Sequence, residues 1–145
     1  MSIGHGSGVI DKAWLDMLIA DIERQTVFNR EFNVPLAGGS SKDGRTIYQD
    51  KSIPTTYTQR GGAVVDVTRY LRVHEYVEKR LIDAGNGYLP SHGAATAVEL
   101  AALQDDGYDV AQYDAFWSKW EKVAAKHKLG DDTPPDLELK PYEDS

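Results

Sequence analysis

A chain of 145 residues, 41% hydrophobic and 27% charged, has the size and composition of one folded domain with a substantial core. It holds no apolar run of about 18 residues, which excludes a membrane-spanning helix, and no cysteine, which excludes disulfides and thiolate metal sites. A net charge of −7 speaks against nucleic acid, whose binding needs clustered Lys and Arg.

The start, Met1 to Gly8, is rich in Gly and Ser and reads as loose. It has neither the basic nor the apolar region of a secretory signal, so the expected location is cytoplasmic. From Asp11, a good N-cap, Trp14, Leu15, Leu18, Ile19 and Ile22 recur at helical spacing to about Gln25. Residues 26–45, with Pro35, Gly38, Gly39 and Gly44, read as irregular connection. The β-prone runs Thr46-Ile47-Tyr48 and Thr55-Thr56-Tyr57-Thr58 predict a hairpin or edge strand.

The strongest helix spans 66–84 and stops at Gly85-Asn86-Gly87. Ser91 is positioned to cap a third helix to about Gln104, and Asp109 a fourth through Tyr113, Phe116, Trp117 and Trp120 to about Lys128. Gly130 to Ser145 is acidic and proline-rich and reads as an extended tail. The expected fold is therefore α+β and mainly helical: about four helices and one small strand pair in a single domain over 1–129, followed by a tail over 130–145.

Chemistry concentrates on two of these helices. On the 66–84 helix the apolar stripe is Val67, Tyr70, Leu71, Val77 and Leu81, and at 100° per residue His74 and Glu78 fall inside it. A carboxylate facing a core needs a partner or a cation. On the 91–104 helix Glu99 lies among Ala95, Val98, Ala102 and Leu103, with His92 within about 20° of it around the axis. Two neighbouring helices thus each present a His and a Glu inward. His74 and Glu78, at i and i+4, are spaced to grip one ion, while Glu75 is rotated to the side, where H-E-x-x-H enzymes hold their general base. His92 and Glu99 are both candidates for a third ligand. They lie about 10 Å apart along their axis, so one of them is expected outside the first ring of ligands.

The segments RTIYQDKSIP and DVTRYLRVHEYVEKRLIDAG resemble the short zincin-type metallopeptidases, the ImmA/IrrE-like group among them, over roughly residues 45–105. The resemblance implies His74 as a ligand, Glu75 as catalytic acid/base and a later helix supplying the third ligand. Glu99 occupies the place of the gluzincin glutamate. Glu78 stands where the second histidine of H-E-x-x-H would be, a harder donor that admits manganese or iron as well as zinc. The resemblance also implies a strand that aligns substrate, here 46–50 with Tyr48, and Tyr76 and Tyr88 are candidate oxyanion donors.

The expected function is a metal-dependent hydrolase with peptidase character, acting on a peptide or protein. The reading from another class is a non-enzymatic helical interaction or assembly protein. In it the His/Glu cluster is a structural hydrogen-bonded network, His74 with Glu99 and Glu78 with His92 or Arg80, and the aromatic helix 109–128 meets a protein partner.

Overall fold

The computed structural model describes residues 10–144, and the glycine-rich start lies outside them. The fold is α+β and mainly helical. Helix α1 (Lys12–Gln25) begins where the Asp11 side chain accepts from the Ala13 N–H, and it buries Leu15, Ile19 and Ile22 along one face. It leads into strand β1 (Val27–Asn29), followed by β2 (Gly38–Ser40) and β3 (Thr46–Gln49). These form one sheet in the order β1-β3-β2, parallel between β1 and β3 and antiparallel between β3 and β2.

The strand expectations are corrected here. The 46–48 run pairs with two strands from the segment read as irregular, and the 55–58 run forms its own hairpin. Strand β4 (Thr56–Thr58) pairs antiparallel with β5 (Val64–Asp66). Its loop carries Gly61 and Gly62 at φ near +98° and +99°, conformations that only glycine adopts without strain.

Helix α2 (Val67–Asp83) starts directly from β5, with the Asp66 side chain accepting from the Thr68 N–H at 2.9 Å. It ends where Gly85 takes φ +98° and the Asn86 N–H reaches back to the Leu81 carbonyl, a Schellman termination. Helix α3 (Tyr88–Asp105) begins three positions before the expected Ser91 cap. Pro90 falls in its first turn, where an N–H is not needed, and the Ser91 hydroxyl bonds back to the Gly87 carbonyl at 2.7 Å. Helix α4 (Val110–Ala124), capped by Asp109, is shorter at its end than the 109–128 reading.

The main core joins α1, α2, α3, α4 and the hairpin through Leu15, Ile22, Val65, Tyr70, Leu103 and Tyr113. The aromatic residues of α4 belong to it, since Tyr113, Phe116 and Trp117 are all buried; the stripe considered for a protein partner packs on the chain's own core. A smaller cluster of Val34, Tyr48 and Leu137 lies on the other side of the sheet. Leu137 comes from the segment read as an extended tail. That segment instead folds back, bridges Ser41 through Leu137, and ends in the short helix α5 (Lys140–Asp144).

Glycine makes the approach of β2 to α2 feasible. A Cβ on Gly38 would lie 2.6 Å from Leu71 Cδ1 and 3.0 Å from Glu75 Oε2; one on Gly39 would lie 2.8 Å from Leu137 Cδ1. Gly38→Ala is therefore expected to lower stability by about 1–3 kcal/mol through overpacking. Urea denaturation measures this, and an unchanged midpoint would show that Leu71 yields freely.

Candidate metal centre

Helix α2 carries His74 and Glu78 one turn apart on its face toward α3, as the periodicity requires. Both are buried, as are Glu75 and Glu99. The two residues of α3 meet the same imidazole from opposite sides. Glu99 Oε1 lies 2.8 Å from His74 Nδ1, whereas His92 Nδ1 lies 3.2 Å from His74 Nε2. Their separation along the α3 axis is thus matched to the two nitrogens of one ring.

On the Nε2 side three donor atoms converge. His74 Nε2, His92 Nδ1 and Glu78 Oε2 form a triangle with edges of 3.2, 2.9 and 3.0 Å. Protons cannot satisfy every edge. With an N–H on both rings, two donors crowd together on one carboxylate oxygen; with a single proton, one edge sets lone pair against lone pair. A cation accepts a lone pair from all three atoms, and a set of two nitrogens and one oxygen suits zinc, iron or manganese. The residues present therefore fit a metal. His74, Glu78 and His92 are the candidate ligands, all within 4.8 Å of one another at their donor atoms.

The Nδ1 side is a support. Glu99 accepts from the His74 ring and also from the hydroxyl of Tyr113, which is buried on α4. A carboxylate on the far nitrogen of a ligating histidine sets its tautomer and orientation. Tyr113 was not singled out for this role in the sequence, where it reads as one member of an aromatic stripe. Its one signal is general: a buried tyrosine hydroxyl needs a partner.

Electrostatics separates the carboxylates. Burial pushes Glu75 upward, the charge of Glu78 adds to this, His74 pulls it back and Glu99 raises it further, leaving the carboxyl at about 8. Burial also acts to raise Glu78, but hydrogen bonds from His74 and His92 outweigh it and hold that carboxyl below its ordinary value. For His74, burial opposes the charged ring, and the bonds to Glu78 and Glu99 overcome it, so its pKa lies well above 6.5. Two neighbouring carboxyl groups are thereby assigned different protonation behaviour, a pattern typical of acid/base sites.

Glu75, unlike its neighbours, makes no hydrogen bond among the described residues. It faces a cavity of about 390 Å³ whose lining includes His74, Glu78, His92, Tyr88, Trp117 and Tyr142. Tyr88 is well placed, its hydroxyl 3.4 Å from His92 Nδ1. Tyr48 and Tyr76 are not. Tyr48 is buried in the smaller cluster with its hydroxyl donating to Asp136 at 2.6 Å, and Tyr76 donates to Gln25 at 3.1 Å beneath the Arg80 guanidinium. Strand 46–49 is also corrected as a substrate edge, because β3 is the central strand with both neighbours in place. The edge strand lining the cavity is β2.

Comparison with known proteins finds no matching family model, no matching curated protein and no matching solved structure.

Proposed function

We propose that this chain is a metal-dependent hydrolase with a zincin-like arrangement, acting on peptide bonds. The observation that carries the reading is the triangle of His74 Nε2, Glu78 and His92 Nδ1 beside an unpartnered, buried Glu75 in an open cavity. His74, Glu78 and His92 hold the ion, and Glu99 holds His74 from behind. Bound there, a zinc, manganese or iron ion supplies Lewis-acid polarisation of the scissile carbonyl and lowers the pKa of water.

The other roles belong to the chain. Glu75 takes a proton from the attacking water as the C–O bond forms and returns it to the leaving nitrogen as the C–N bond breaks. Its raised pKa places the proton near neutral pH, where both directions of transfer are feasible. Tyr88, at the cavity wall, donates a hydrogen bond toward the carbonyl oxygen as it gains charge. The edge of β2 lies beside Glu75, because Gly38 approaches that carboxylate, and its main-chain groups, paired here with residues 136–138, serve an extended peptide that takes that segment's place.

The competing reading is a structural polar network, which the contacts of His74 with Glu99 and of Glu78 with His92 also satisfy in part. Elemental analysis of untagged protein separates the two. Close to one equivalent of zinc, manganese or iron is expected, and protein that stays metal-free after reconstitution overturns the enzyme reading.

A further inference from the structure

Beside β2, the wall of the cavity is completed by Glu138, Pro141 and Tyr142. Residues 136–138 lie antiparallel to the end of β2: the Lys42 N–H donates to the Asp136 carbonyl at 2.7 Å and the Glu138 N–H to the Ser40 carbonyl at 2.8 Å. Leu137, 2% exposed, fills a gap beside Val34 and Tyr48 against the bare face of Gly39. Glu138 pairs at 2.7 Å with Lys79, whose side chain is only 3% exposed. Pro141 and Tyr142 then line the same cavity as Glu75.

We propose that residues 136–142 are a strap occupying the strand edge that serves an extended peptide. The site then takes peptides that displace the strap by presenting an apolar side chain followed by a carboxylate. The inference rests on the peptide-hydrolase reading for its meaning, though not for its test.

Three features of the molecule support it. First, the contacts have the form of strand addition, with main-chain bonds giving affinity and alternate side chains filling pockets. Secondly, the strap is anchored apart from the main core. Among the described residues, none from 130–144 belongs to the main cluster and Leu137 packs in the smaller one; α5 lies against α3, so opening lifts α5 from α3 while helices α1 to α4 stay packed together. Thirdly, departure of Glu138 leaves the buried Lys79 ammonium with Asp83 alone, a carboxylate whose side chain is 55% exposed. A buried cation losing a partner favours an occupant that replaces it.

The test uses the full chain without added metal and a fluorescein-labelled synthetic peptide spanning residues 134–142, read by fluorescence anisotropy. Glu138→Ala loosens the strap and frees Lys79 for the peptide's own glutamate, so it is expected to bind at least about tenfold tighter than the wild type. Lys42→Cys combined with Asp136→Cys, both exposed and directly opposite across the bridge, locks the strap by a disulfide in a chain with no other cysteine. The oxidised form is expected to bind no peptide, and its reduced form to bind at least as tightly as the wild type, because losing Asp136 also removes the acceptor of the Tyr48 hydroxyl and loosens the strap. Equal binding by the oxidised and reduced forms overturns the proposal. So does undiminished binding of a peptide carrying Glu138→Lys, or no binding to any form. Because the assay needs neither metal nor turnover, loss of the strap and loss of the hydrolase reading are separate results.

Discussion

Glu75→Gln is expected to stabilise the metal-free protein at pH 9 by on the order of 4 kcal/mol and to leave its stability near pH 4 unchanged. The carboxyl is raised from an ordinary value of 4.5 to about 8 in the folded state. Between those two values the unfolded chain has released its proton while the folded chain retains it. The folded state therefore binds more protons, and wild-type stability falls as pH rises through this window, levelling above it. Glutamine does not ionise, so the variant escapes that fall.

Urea denaturation at a series of pH values measures the difference, and a gap that does not widen with pH shows that Glu75 is not held protonated. The same substitution is expected to lower hydrolysis by about 10²–10⁴-fold, the usual contribution of a positioned acid/base. A more stable protein with less activity distinguishes a functional carboxylate from a structural one, whose removal weakens the fold. Burial without a partner is the physical origin of both effects.

The second large effect is a ranking of metal affinities. Alanine at His74, Glu78 or His92 removes a donor atom of the triangle, whereas Glu99→Gln and Tyr113→Phe leave all three in place and disturb only the support of His74. Loss of an outer partner of a ligand typically lowers affinity about 10–100-fold, so that range is expected for Glu99→Gln and Tyr113→Phe. The three ligand substitutions are expected to exceed it. Competition with a chelating dye measures all five variants.

If Glu99→Gln proves as severe as His74→Ala, Glu99 is itself a ligand and the assignment of His92 fails. The pH dependence has a definite sign as well. The His74 ring holds its proton to a pH well above its ordinary range, and a metal must displace it, so affinity falls as pH drops through that raised value.

Much of this architecture was legible in the sequence because it is local. Asp11 and Asp109 cap the helices they were expected to cap, since an N-cap needs only its own backbone two or three residues on. Gly85 ends α2 because its backbone turns left-handed there. The inward placement of His74, Glu78 and Glu99 follows from helical periodicity, which records the buried face whatever is packed against it. Glu75, expected to one side of that face, is buried as well, because β2 approaches it at Gly38.

The tertiary structure decided what depends on a partner distant in sequence. Strands β1 and β2 escaped notice because three-residue strands show no alternation. Moreover, Gly38 and Gly39 disfavour a strand by propensity while permitting the close approach of Leu71 and Leu137. Periodicity gave His92 and Glu99 nearly the same direction, but only the packing of α2 on α3 set one against Nε2 and the other against Nδ1. The hydroxyl of Tyr113 and the return of Leu137 and Glu138 to the sheet arise from long-range contacts, which a polar, proline-rich composition does not announce. Helical periodicity sets the inward direction of His74, Glu78 and Glu99; the packing of helices and tail sets which atoms meet, because contact between distant segments depends on distances that local pattern does not encode.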